Sequence, residues 1–594
     1  MRLVKQAWKT LLIGSLLLGS SLVHTGIPAG AEAAVDSIPN TTRIEKSYDQ
    51  SFLSVTGFAS LGVKDRSEYV GTSYHRTVSN AKELLQALLD ARDGNVKVIE
   101  ITADLDLGWK ALSLTSEEKQ TYNFISEFSK PSNGFTNPLL EASGVSQLKI
   151  DNVDGLTIFS TSGHTIKHAE LNLQSSSNDI VLRNLSFDGM WQWDDTGAHK
   201  EVGWTFIKVN GATNVWIDHC SFTIAADGMI DLENGATNVT LSWNTFGLPA
   251  DEQPDPDSNI YQSIEFMEQK YQEGSLGEDS LYAKMRNGGA TKNQIMAYAA
   301  YHSKVHLNGS GDKDYTDYVR SNGEVVKDGN HRIRMTMAYN HYTNVGQRLP
   351  MIRQGTGHLF NNVFDNSTHQ QILDSVPAIS QQGTDRLARG INSRNGASIA
   401  GDTNVYIAFN EPIIGAERQG DDTKNMNAPW DVLFQNAINH FLLVNSKMTT
   451  PDGETYIGSS WDNNGDNPFT KGVTWYDKST IGKWAWSSSI VGVENMKKDN
   501  PPAEPFEFTY NYDEQLPYTY QIVPLSEVEA TVNQNAGAGK LQLAAEEWLK
   551  ISYEAAPEEA AEEGGSKSLY LVLAVAGGVV VLAALGWFLA RRKK

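Results

Sequence analysis

Five residues carry most of the chemistry this chain can offer. Arg348 and Arg353 close the run Arg348-Leu349-Pro350-Met351-Ile352-Arg353, and Lys304 lies upstream of it. Asp227 and Asp231 stand four residues apart in Asp227-Gly228-Met229-Ile230-Asp231. Residues 301–358 hold eight Lys/Arg against five Asp/Glu, a local +3 inside a chain of −22. Five of the 13 histidines fall there too. An anionic ligand would find its positive patch in this window. Two aspartates four apart share one face of a straight strand, and across a turn they could chelate a hard cation. Alone, such a pair is more often just solvated. Asp218-His219 suggests acid–base work, and Asp194-Asp195 offers a pair of carboxylates.

The elements that must position these groups announce themselves by a repeat. Asn214-Val215-Trp216-Ile217-Asp218-His219-Cys220-Ser221-Phe222 is echoed 24 residues later by Asn238-Val239-Thr240-Leu241-Ser242-Trp243-Asn244-Thr245-Phe246. Gly155-Leu156-Thr157-Ile158 and Asp179-Ile180-Val181-Leu182 keep the same offset. Asn340 and Asn362 follow 22 residues apart, and 404–410 reads as another copy. Each copy is a short β-branched strand with a polar turn. A single coil of this length cannot bury its apolar face, but stacked coils share one core. Cys220, Asn244, Asn340 and Asn362 take the same place in their copies, so stacked Asn side chains would satisfy the turn backbone. Cys220 is then a buried filler rather than a nucleophile. Propeller blades of about 40–50 residues fit this period poorly. The expected fold is all-β, a parallel β-helix.

Helical spacing of Leu84, Leu85, Leu88 and Leu89 predicts a helix over 79–92 that caps the solenoid's first coil. A second break covers about 248–300. There Ile260, Ile264, Met267 and Tyr271 mark a helix over 258–271, and another is expected over 280–286. This insertion is expected to stand off one turn of the solenoid. The tryptophans of 413–515 (Trp430, Trp461, Trp475, Trp484, Trp486) are expected to pack over it.

The ends read differently. Arg2, Lys5 and Lys9, an apolar run over 11–23 and the small residues Ala31 and Ala33 make 1–33 a secretory signal peptide. The β-helical domain would then span 34–540, followed by an acidic stalk over 541–568. Residues 569–590 carry no charge and are long enough for a transmembrane helix. The basic tail 591–594 would stay on the cytoplasmic side, leaving the rest extracellular and anchored to the cell surface. The negative balance argues against nucleic-acid binding. One cysteine excludes a disulfide framework and a thiolate zinc site. At 594 residues, one ordinary core would be too small unless the fold is an extended repeat.

Taken in order, Asn214–His219, Asp227–Asp231, His302-Ser303-Lys304, Arg348–Arg353, Gly357-His358-Leu359-Phe360-Asn361-Asn362 and Ala536-Gly537-Ala538-Gly539-Lys540 resemble the pectate lyase family, right-handed parallel β-helices of polysaccharide lyase family 1. The resemblance spans roughly 55–540 and is strongest over 178–366. It implies cleavage of pectate, an anionic plant cell-wall polysaccharide, by β-elimination, by a monomer. In that reaction a base removes the C5 proton beside the uronate carboxylate, and positive charge stabilises the developing anion. By motif match Arg348 corresponds to the catalytic arginine, Lys304 and Arg353 to substrate binders, and Asp227 and Asp231 to ligands of Ca2+. A free guanidinium is normally charged, so such a base implies activity favoured at alkaline pH. Asp218-His219 is largely structural in the family, and His302 and His358 are expected to line the groove or to be structural.

One family feature is missing. A further calcium-ligand Asp is expected thirteen residues before Asp218, where Thr205 stands, and Gly203 occupies the position two earlier. Glu201, or Asp194 and Asp195, could swing in; the substrate carboxylate could complete the shell; or the enzyme could work without calcium on methyl-esterified pectin, as pectin lyases do. Two further alternatives stay open: a polygalacturonase-type hydrolase built on Asp194-Asp195, and a non-catalytic carbohydrate-binding solenoid.

Overall fold

The computed structural model describes residues 43–127, 142–193, 195, 203–248, 254–301, 304–309, 318–319, 325–326, 329–353, 355–376, 389–394, 397–409, 411–414, 438–460, 469, 485–488 and 516–552. Its described strands form three long sheets of eleven, ten and nine strands, in which coil after coil adds one strand to each. Neighbours such as Asn178–Arg183, Thr213–Asp218 and Thr237–Ser242 pair in parallel, with Val181, Trp216 and Thr240 in one row. This is the parallel β-helix the repeat predicts.

The core is layered in the same rows. Phe187, Phe222, Phe246, Tyr342, Phe364 and Tyr406 stack through the interior with ring centroids 4.6–5.0 Å apart. Each is buried, which is worth about 1.5–3 kcal/mol for a side chain of that size. The Asn ladder forms as expected and runs further. Asn244, Asn340, Asn362 and Asn404 accept the backbone N–H of Cys220, Asn244, Asn340 and Asn362 at 2.8–3.1 Å. The residue before each rung is left-handed, with φ between 48° and 58° at His219, Trp243, Tyr339, Asn361 and Thr403. That conformation turns the chain sharply between sheets and is tolerated because the ladder fixes it. His219, Trp243 and Tyr339 stack on one another there.

The N-terminal helix runs Ala81–Arg92, capped by Asn80 rather than by a serine: the Asn80 side chain accepts from the Glu83 backbone. Leu84, Leu85 and Leu88 are buried, as the spacing predicts. The insertion contains Asn259–Gln272 and Leu281–Asn287, close to expectation, and Lys292–Ala300, which was not expected. It does not stand off the solenoid. Ile264 and Met267 are fully buried in the same core as the coils. Asn259 donates to the Gly189 carbonyl, and its side-chain oxygen meets His168 Nε2 at 3.2 Å.

The far boundary also moves. A stalk starting at 541 begins too early, because Ala545–Leu549 is a helix with Trp548 fully buried. Arg183 donates to the Trp548 carbonyl, and Ile551 N–H donates to Asp65. The described part of the domain therefore continues to 552. No helix among the described residues is long and apolar enough to cross a membrane. The signal peptide, the span 569–590, the basic tail and the five tryptophans named above lie outside the described residues, apart from Trp486, of which only the strand Ala485–Ser488 is described.

Candidate active site

The nine-stranded sheet builds the site. The strand Ile230–Glu233 presents Asp231, the strand Leu307–Asn308 lies beside it, and the strand Met351–Arg353 comes next. The rows Leu232–Asn308 and Asn308–Ile352 fix the register. Residues 120 positions apart in sequence thus fall on three consecutive strands, roughly 5 Å apart each.

Asp227 sits in the turn ahead of its strand, with its N–H donated to the Trp204 carbonyl. Gly228 lets that turn fold back over Asp231, since a Cβ at 228 would meet Asp231 Oδ1 at 2.2 Å. Asp231 is buried and accepts from Leu307 N–H at 2.9 Å. Burial, and next the neighbouring Asp227 charge, push the Asp231 carboxyl up to about 8. Arg348 opposes that shift.

Arg348 reaches the pair from two strands away. Its Nη1 lies 3.6 Å from Asp227 Oδ1, and neither buried atom has a hydrogen bond. The backbone holds the arginine there at φ 61°, outside the usual range for a non-glycine residue. His306 pins this turn: its N–H donates to the Arg348 carbonyl, and Met351 N–H donates to the His306 carbonyl. The His306 ring spans Ile230 O at 2.9 Å and the Tyr342 hydroxyl at 3.1 Å. Burial lowers it to about 4, so it is a neutral brace. Nothing in the sequence singles it out, because its partners lie on other coils.

The structure brings Asp227, Asp231 and Arg348 together. Lys304 is half-buried, next to Val305, whose carbonyl accepts from Met229 N–H. Arg353 ends its strand and donates through Nη1 to the Gly309 carbonyl. Thr205 is buried, and its hydroxyl donates to Glu170 at 2.9 Å. Glu170, also buried and missed in the sequence, accepts from Gln147 at 2.7 Å and Asn172 at 3.0 Å as well.

Several alternatives close here. Asp195 cannot swing in. Its Oδ1 accepts from Trp193 Nε1 at 3.1 Å and Tyr282 N–H at 2.8 Å, anchoring the insertion. That also removes it from a hydrolytic pair. His219 is buried with Nδ1 2.8 Å from Asp218, and His358 is buried against the Tyr518 hydroxyl at 2.9 Å, so both are structural. Asp194, Glu201 and His302 lie outside the described residues.

Among the described residues no three acidic, histidine or cysteine side chains gather closely enough to hold a metal ion. The unbonded, buried Asp227 Oδ1 beside a second carboxylate nevertheless fits a hard cation, as a partial shell of oxygens.

The stacked parallel coils and the sequence profile together make this chain a polysaccharide lyase of the parallel β-helix type. The chain belongs to the pectate lyase family, whose sequence profile matches residues 144–250 and 295–541. It is 32% identical over 298 residues to pectate lyase B of Paenibacillus amylolyticus, covering 50% of this chain and 68% of that one. It is 26% identical over 385 residues to a pectate lyase of Bacillus subtilis strain 168, covering 61% and 76%. The solved structure of a pectate lyase from Paenibacillus sp. 0602 superposes with a TM-score of 0.63 at 26% identity, over 84% of this chain and 99% of that chain.

Proposed function

We propose that this chain cleaves α-1,4-polygalacturonate by β-elimination, with Arg348 as the base. The observation that carries this is the approach of Arg348 Nη1 to within 3.6 Å of Asp227, two strands away. Arg348 takes the proton from C5. The electron pair left behind forms the C4–C5 double bond as the C4–O bond breaks, and solvent protonates the departing oxygen. Lys304 and Arg353 bind substrate carboxylates on either flank. His306 acts through the backbone, keeping Arg348 aimed.

Asp227 and Asp231 would hold calcium, which when bound supplies positive charge that stabilises the carbanionic transition state. With Thr205 in place of an acid, the substrate's own carboxylates would have to supply the remaining charged oxygens. A secreted enzyme, anchored by 569–590 behind a stalk and a basic tail, would meet this polymer outside the cell.

A second reading follows from Thr205 donating to Glu170: the same scaffold acting without calcium on methyl-esterified pectin. Near-ultraviolet absorbance of the unsaturated product decides between them. It is measured on polygalacturonate and on highly esterified pectin, before and after EDTA. Product from polygalacturonate that vanishes with EDTA and returns with calcium supports the first. Product from esterified pectin, indifferent to EDTA, supports the second. No unsaturated product from either polymer overturns both.

A further inference from the structure

Lys208 has no part in the motifs that mark the site. It lies on the strand Ile207–Asn210, directly beside Asp231 on the next strand and Asn172 on the preceding one. Its Nζ reaches Glu233 Oε1 at 3.6 Å, and the two side chains are only 22% and 18% exposed. On the preceding strand Glu170 stands two residues before Asn172, on the same face, and Asn172 donates to it. The ammonium therefore pairs with Glu233 on the face of the sheet that also carries Asp231 and Glu170.

The same outer row takes Asn172 on one side and Asp231 on the other. The ammonium places a fixed positive charge one strand from Asp231. A divalent ion arriving at Asp231 meets a fixed positive charge one strand away. A uronate carboxylate brings the negative charge that offsets this repulsion.

We propose that Lys208 is a resident cation of the Asp227/Asp231 site, which keeps calcium affinity low in the free enzyme and couples metal binding to substrate binding. The inference rests on the reading of Asp227 and Asp231 as calcium ligands. At one strand spacing, repulsion between a unit charge and a divalent ion lowers affinity by roughly tenfold even when well screened. Coupling between two ligands is reciprocal, so calcium and uronate should each tighten the other.

The test is calorimetric titration of the full chain with calcium chloride, in the absence and presence of a galacturonate oligomer. Lys208→Met is expected to bind calcium about tenfold more tightly without the oligomer, and to lose most of the oligomer's effect. Lys208→Arg keeps the charge and is expected to behave as the parent does. Unchanged calcium affinity in Lys208→Met overturns the proposal. So does an Arg variant that shifts as the Met variant does. Calcium binding that survives Asp231→Asn would remove the calcium-site reading, and this inference with it. Lyase activity, assayed separately by absorbance, would still stand.

Discussion

The Thr205 hydroxyl, just ahead of the strand Ile207–Asn210, donates a hydrogen bond to Glu170 on the strand Ala169–Gln174 at 2.9 Å, with both side chains buried. A buried carboxylate thus stands one coil earlier, hydrogen-bonded to the threonine at 205. Thr205→Asp would set two buried carboxylates face to face with no donor between them. We expect a metal-free cost of the order of 3 kcal/mol. Calcium should restore that stability and bind more tightly than in the parent. Thermal melts with and without calcium check both signs. A variant as stable as the parent without metal would mean that Glu170 and position 205 do not share a field.

Asp231 ties stability to pH. Burial first, and then Asp227, raise its carboxyl from 3.8 to about 8. A group whose folded pKa is raised contributes stability fully below its unfolded value and loses it as pH rises through the folded one. The metal-free protein should therefore lose stability relative to Asp231→Asn as pH climbs from about 4 to about 8. Above that the difference should stay level. Paired melts across this window read the difference directly. A gap that does not change with pH would place the Asp231 carboxyl near its ordinary value.

Much of the scaffold was legible in the chain because the β-helix writes its period into the sequence. The 24-residue echo specifies stacked coils, and Cys220, Asn244, Asn340 and Asn362 mark the ladder by their shared place in each copy. The site was legible only where short motifs survive: Asp227, Asp231 and Arg348. Glu170, Lys208 and His306 were not, because their meaning lies between coils. Thr205 meets Glu170 35 residues away, and His306 meets Ile230 across 76. No local pattern encodes such row partners once an insertion interrupts the repeat. The same holds for Trp548: an acidic neighbourhood read as a stalk, while one tryptophan docks it under Arg183.

The ladder itself is open to a stability test. Asn340 Oδ1 accepts both the backbone N–H and the side-chain Nδ2 of Asn244, and its own Nδ2 donates to the Leu241 carbonyl at 2.9 Å. Asn340→Ala strands these groups in a dry turn. A loss of about 3 kcal/mol is expected, from more than one unsatisfied buried group. Asn340→Asp keeps the acceptor and loses the donor, and should cost less unless its charge stays unpaired. Denaturant unfolding followed at two wavelengths measures both. A cost below about 1 kcal/mol for the alanine variant would mean that water replaces the rung.

Arg348 separates catalysis from charge balance. Its guanidinium lies 3.6 Å from Asp227 Oδ1, so removing it removes both the proposed base and a counter-charge. Arg348→Lys restores the second but not the first, because an ammonium is a point charge without the planar fork. The expected loss of turnover on polygalacturonate is about 10²–10⁴-fold for both Arg348→Ala and Arg348→Lys. Metal-free melting should fall only for the alanine variant, which leaves Asp227 facing Asp231 without its cation. The left-handed turn at 348 adds about 1–2 kcal/mol for any residue bearing a Cβ, in parent and variants alike. Near-normal turnover in the lysine variant would reduce the arginine to an electrostatic role and move the base elsewhere.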